Sequence, residues 1–166
     1  SASSSPTACT ASQAASVGRA EGSAARASVA APRSAVRASA ARFRAPADVA
    51  PALARFRARG LLLVVLSNAN GTVRTKLDRL GMTAWFAAVV DSGEEGVEKP
   101  DPRFFALALE RVGAETATTL HVGDLFHVDV VGARAAGLRA VLIDRGGLQA
   151  DRDCPRFRDL GELADA

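Results

Sequence analysis

Cysteine and long apolar runs are scarce in this 166-residue chain, whose length fits one domain with its own core. The two cysteines, Cys9 and Cys154, lie far apart without metal-type or redox-type spacing. We interpret them as unpaired thiols in a reducing cytoplasm. The nearest approach to a membrane span is the short run LLLVVL at 61–66. Because a spanning helix needs roughly 20 apolar residues, the sequence predicts no membrane partner.

Acidic residues are nearly missing from residues 1–60, which hold nine arginines and no lysine against only Glu21 and Asp48. The net charge is therefore +7 in this segment and −4 in residues 61–166. A basic balance often indicates nucleic-acid binding. No aromatic or lysine pattern accompanies these arginines, so nucleic acid is disfavoured as a partner.

Large apolar side chains are also rare in residues 1–45, where 16 alanines and 10 serines dominate. Such a segment buries too little surface to offset an ordering cost of roughly 1–2 kcal/mol per residue, so we expect low-complexity disorder or loose helix. Three interpretations stay open: an interaction tail or linker, an organelle transit peptide, and residues translated from a wrong start or frame. All three make the segment non-catalytic.

Residues 46–166 instead alternate short apolar runs with amphipathic stretches and form the predicted domain. The apolar runs predict strands in LLLVVL (61–66), FAAVVDS (86–92), TTLHVGD (118–124) and RAVLID (139–144). Helical spacing predicts helices in 46–60, 71–82, 101–113 and 129–138. This alternation predicts an α/β fold with a doubly wound parallel sheet, whose ligands bind at the carboxyl ends of the strands.

Polar residues follow the predicted strands at that edge. Asp124 comes after Gly123 in HVGDLFHVD, and Asp129 is predicted to open the next helix, so that LFHV forms a loop. Two carboxylates turned to one point suit Mg²⁺, although Asp129 is also a plausible helix-capping acid. Ser67 and Asn68 offer an anion site or an ordinary capped turn.

Lys99 lies in GVEKPDP, where two prolines stiffen the backbone. A lysine held in a stiff loop can direct its ammonium group at a phosphate, but most lysines are simply solvated. Of the two histidines, we interpret His121 as a packed residue and His127 as a loop residue rather than as bases.

Taken in order, strand-SN, VEKPDP and strand-GDLFHVD resemble the second, third and fourth motifs of the haloacid dehalogenase (HAD) superfamily, and GARAAGLRAVLIDRGG resembles its final helix and strand. The resemblance covers roughly residues 46–166 and implies a Rossmann-like core of the phosphatase-like branch. It implies a Mg²⁺-dependent phosphohydrolase that acts on a small phosphorylated metabolite through an aspartyl-phosphate.

The resemblance implies a role for each of these residues. Ser67 hydrogen-bonds the phosphoryl oxygens with Asn68 beside it. Lys99 is catalytic and neutralises the phosphoryl group and the nucleophile. Asp124 binds Mg²⁺, and Asp129 supports the metal directly or through water.

The family's first motif, a DxD nucleophile after its first strand, has no match before residue 61. Glu21 and Asp48 follow no apolar run, and no cap domain is recognisable. Asp144 ends a predicted strand but has no acid two residues later, and Asp151 and Asp153 follow no predicted strand. None of the three is therefore expected to replace the nucleophile. We therefore expect a fold truncated at its N-terminal strand and an inactive chain. A non-catalytic remnant or binding module, and a haloacid dehalogenase, stay open as alternatives.

Overall fold

A parallel sheet organises the computed structural model, which describes residues 44–166 together with the backbone of two short segments before them. Its strands are β1 (Thr10–Ala11), β2 (Ala15–Ser16), β3 (Val64–Ser67), β4 (Ala88–Asp91), β5 (Leu120–Gly123), β6 (Arg139–Ile143) and β7 (Arg156–Phe157). The parallel strands run in the order β4-β3-β1-β5-β6-β7, and β2 pairs antiparallel with β3.

Helices connect these strands and cover the sheet. They are α1 (Val49–Ala58), α2 (Val73–Arg79), α3 (Ser92–Glu95), α4 (Pro102–Glu110), α5 (Gly132–Ala135) and α6 (Leu160–Asp165). Two 3₁₀ turns lie at Thr83–Trp85 and Thr116–Thr118, and a π-helix spans Phe126–Val131 before α5. None of the helices in the described part of the chain is both long and apolar enough to cross a bilayer.

Apolar cores pack on both faces of the sheet, as the doubly wound prediction requires. Side chains alternate along β3, so that Val65 lies in one core with Leu53, while Val64 and Leu66 lie in the other with Phe104. The α/β class and the four predicted strands are confirmed. The sequence did not predict β7 or α6, both of which are short.

Two features differ from the sequence predictions. The stretch LFHV was predicted as a loop, but the π-helix begins at Phe126, so this prediction is wrong. No strand was predicted before residue 61, yet the backbone of β1 pairs in parallel with both β3 and β5. The disorder predicted for the rest of residues 1–43 lies outside the described residues, and the boundary at 45/46 stays a prediction.

Candidate active site

A cavity of about 520 Å³ opens at the carboxyl ends of the strands. Ser67 and Asn68 line it at the end of β3, and Gly123 and Asp124 line it at the end of β5. The sheet therefore brings these predicted site residues to one cavity. Lys99 is not part of the lining; its ammonium group lies beneath, where Nζ donates to the carbonyl of Leu66 at 3.1 Å.

Asp129 is fully buried below this edge, and both of its carboxylate oxygens accept hydrogen bonds. Oδ1 accepts from Lys99 Nζ at 2.8 Å and lies 3.3 Å from His121 Nε2. Oδ2 accepts from the backbone N–H groups of Asp124 at 3.1 Å and Leu125 at 2.8 Å. We call Lys99, Asp129 and His121 the buried layer, since each is at most 3% exposed.

Charge and hydrogen bonding hold Asp129 in its ionised form. Burial by itself raises the pKa of this carboxyl, but the hydrogen bond from His121 and the positive charge of Lys99 outweigh it and keep the pKa well below 3.8. Burial lowers the pKa of His121, so its ring is neutral at pH 7. The Nδ1 atom of His121 has no hydrogen-bond partner among the described residues. We therefore assign the proton to Nε2, which faces Asp129.

The close approach of Asp129 to β5 depends on Gly123. A Cβ atom at position 123 would lie 2.1 Å from the Cβ of Asp129, a distance that non-bonded atoms do not tolerate. The π-helix carries Asp129 to this position, with the N–H of Asp129 donating to the carbonyl of Leu125 at 2.7 Å. Asp129 thus lies inside a helical turn rather than opening the helix, which corrects the sequence prediction.

Asp124 is exposed at the cavity, in contrast to Asp129. Within the described residues, no group of three acidic, histidine or cysteine side chains could hold a metal ion. Direct ligation by Asp129 would displace one of its protein donors, so its role toward the metal, direct or through water, stays a prediction. Mg²⁺ keeps several waters and binds through one or two carboxylates plus substrate phosphates. Asp124 therefore fits Mg²⁺ when a phosphate supplies further oxygens.

The side chain of Asn68 contacts the backbone of Lys99 in both directions. Its Nδ2 donates to the Lys99 carbonyl, and its Oδ1 accepts from the Lys99 N–H, each at 2.8 Å. Both polar atoms of the amide are thus engaged by one residue of the lysine loop. The sequence predicted Asn68 as a phosphate-binding residue and gave no sign of this contact.

Asp91 and Ser92, at the end of β4, also support the site; the sequence predicted them at a strand end without a specific role. Asp91 accepts from the N–H groups of Gly71 at 2.9 Å and Val73 at 3.1 Å. Burial opposes ionisation of Asp91, but these hydrogen bonds, with one from Gly93, lower its pKa. An Asp-Ser-Gly sequence at the end of a strand is the local signal that could have revealed these hydrogen bonds.

Comparison with known proteins assigns the family. A model of haloacid dehalogenase-like hydrolases matches residues 12–137, and the chain belongs to this family. It is 42% identical over 112 residues to a phosphoserine phosphatase of Thermus thermophilus, which covers 67% of this chain and 45% of that protein. The chain spans about half the length of the curated relatives that it matches.

Solved structures show the same fold. A HAD phosphatase from Thermococcus onnurineus matches 72% of this chain and 56% of its own, with a TM-score of 0.69 and 30% identity. A 2-haloacid dehalogenase from Pseudomonas syringae matches 72% of this chain and 51% of its own, with a TM-score of 0.63 and 31% identity. Both branches weighed from the sequence are therefore represented among similar proteins.

Proposed function

We propose that residues 44–166 form the phosphate-binding and Mg²⁺-binding side of a phosphohydrolase site for small phosphorylated metabolites. The observation that carries this proposal is the ammonium group of Lys99, held by Asp129 directly below the strand end that bears Ser67. A buried cation beneath a cavity that Ser67 and Asn68 line favours an anionic ligand. The chain is 42% identical over 112 residues to a phosphoserine phosphatase, and this similarity supports a phosphoryl group as the anion.

Each of these residues contributes a different interaction. The hydroxyl of Ser67 can donate a hydrogen bond to a phosphoryl oxygen, and Lys99 supplies positive charge. Asp124 would hold Mg²⁺ together with phosphate oxygens and water. When bound, Mg²⁺ neutralises charge on the phosphoryl group. Because one described carboxylate is a weak site, we expect Mg²⁺ and phosphate to bind cooperatively.

We further propose that this chain binds phosphate without hydrolysing phosphate esters. The aspartyl-phosphate route needs a carboxylate after the first strand of the family fold. In the sequence, Ala11 is followed by Ser-Gln-Ala-Ala, which contains no carboxylate. The chain then acts as a binding module built on an enzyme fold.

Haloacid dehalogenation is the less favoured alternative. The similarity to a solved dehalogenase supports the fold that the two branches share. The exposed carboxylate of Asp124 at the cavity favours the metal-using branch, since a metal is what this acid can hold. A Mg²⁺-independent affinity for 2-haloacids would support the dehalogenase instead.

Calorimetric titration with inorganic phosphate, with and without Mg²⁺, tests the binding proposal. We expect Mg²⁺ to increase phosphate affinity, Asp124→Asn to remove that increase, and Ser67→Ala to weaken phosphate binding in both conditions. Asp151→Asn is the matched control, because Asp151 is an exposed loop acid with a side chain 73% exposed. Equal phosphate affinities with and without Mg²⁺ in the wild type would contradict a metal site at Asp124.

Release of an aryl alcohol from an aryl phosphate in the presence of Mg²⁺ tests the absence of turnover. We expect no release above the buffer rate. Turnover that Asp124→Asn abolishes would contradict the binding-module proposal and would indicate a nucleophile elsewhere in the chain.

A further inference from the structure

The two neighbours of Ser67 in the chain both contact Lys99. On one side, the carbonyl of Leu66 accepts from Lys99 Nζ at 3.1 Å. On the other side, the amide of Asn68 exchanges two hydrogen bonds of 2.8 Å with the Lys99 backbone. Lys99 therefore contacts the chain on both sides of Ser67. Its ammonium group bonds to Leu66, and its backbone bonds to Asn68. This double attachment fixes the lysine relative to the serine.

The backbone that carries Asn68 is itself held in place. The hydroxyl of Ser92 accepts from the N–H of Ala69 at 2.9 Å and donates to its carbonyl at 3.0 Å. A Cβ atom at Gly93 would lie within 2.7 Å of the Asn70 backbone, so the two loops pack without space for a side chain. Because this segment is constrained, the Asn68 amide has a fixed position from which to hold Lys99.

To bind a phosphate, Asn68 would need a side-chain N–H group that the protein does not already engage. Any hydrogen bond from Asn68 Nδ2 to a phosphoryl oxygen would compete with the bond to the Lys99 carbonyl. Since Oδ1 is an acceptor, it offers nothing to an anion. Both facts argue against the phosphate-binding role that the sequence predicted for Asn68.

We infer that Asn68 is a positioning residue, which sets the distance between Ser67 and Lys99 instead of binding the phosphoryl group. The inference deepens the proposed function and rests on it wherever phosphate binding is concerned. The hydrogen bonds themselves can be tested without any ligand.

Amide hydrogen exchange measured by NMR tests the contact. In Asn68→Ala, the N–H of Lys99 loses its acceptor, and we expect its exchange to accelerate about tenfold. In Asn68→Asp, a carboxylate oxygen can still accept this N–H, so its exchange should stay near the wild-type rate. Asn70→Ala is the matched control, because Asn70 lies in the same loop and its side chain contacts Thr72.

Phosphate titration of the same variants completes the test. We expect Asn68→Ala to weaken phosphate binding together with the faster Lys99 exchange, and Asn70→Ala to change neither. Weaker phosphate binding with unchanged Lys99 exchange would overturn the inference, because Asn68 would then act on the ligand. Equal acceleration at Lys99 and at the core residue Val122 would also overturn it. A wild type that binds no phosphate would refute the proposed function, while the exchange data would still decide the role of Asn68.

Discussion

The buried layer beneath the sheet edge and the two exposed residues of the rim above it, Asn68 and Asp124, hold polar groups in opposite environments. Asp129 of the layer is fully buried and accepts from protein donors on both oxygens, whereas Asp124 of the rim is exposed at the cavity. The fold therefore fixes the layer before any ligand arrives. Asp124 is left exposed at the cavity, where a substitution should cost little stability.

Removal of the buried carboxylate should have the largest effect. Asp129→Ala removes the carboxylate that pairs with the buried ammonium group of Lys99, and we expect a loss of roughly 3–5 kcal/mol in the free energy of unfolding. Asp124→Ala should change it by no more than about 0.5 kcal/mol, as is usual at exposed sites. Urea denaturation at neutral pH measures both values. Equal losses in the two variants would remove the distinction between layer and rim.

The contact between β5 and the π-helix gives the next largest effect. Gly123→Ala forces a methyl group against Asp129. Because the π-helix must then shift, we expect the free energy of unfolding to fall by roughly 1–3 kcal/mol. Gly146→Ala is the control, since its Cβ would meet only the side chain of Leu148, which is 88% exposed. Thermal unfolding followed by circular dichroism compares the two. A Gly123→Ala variant as stable as the control would show that Asp129 does not pack against β5.

The buried histidine should give a smaller, pH-dependent effect. Because burial lowers the pKa of His121 in the folded state, the unfolded chain binds the extra proton more readily below its own pKa of about 6.5. Stability is thus fully present above that pH and declines as the pH falls from 7.5 to 5.5.

Denaturant unfolding at the two pH values measures this decline. We expect His121→Leu to lack this contribution to the pH dependence, while the control His127→Gln, at an exposed position, keeps it. Ionised Asp129 contributes to stability in a separate pH range, because its contribution to the free energy of unfolding is lost only as the pH falls below about 4. A pH dependence unchanged in His121→Leu would show that this histidine is not buried in its neutral form.

Local pattern predicted the elements and the residues at their ends, because apolar runs and strand-end polar groups are signals carried by a few adjacent residues. It predicted Ser67 and Asp124 at the ends of strands, and both residues line the cavity. The role of Asn68 depends on Lys99, 31 positions away, and the short local sequence is equally typical of a capped turn. Long-range pairing likewise gives β1 its two partners, although Thr10–Ala11 contains no apolar run.

A crystal structure of the chain grown with phosphate and Mn²⁺, an ion that substitutes for Mg²⁺ and scatters anomalously, would locate both proposed ligands. We expect one anomalous peak beside the carboxylate of Asp124, with a phosphate between that ion, the hydroxyl of Ser67 and the ammonium group of Lys99. A metal ion bound at Asp151 and Asp153, or a phosphate held only by surface arginines, would contradict this expectation.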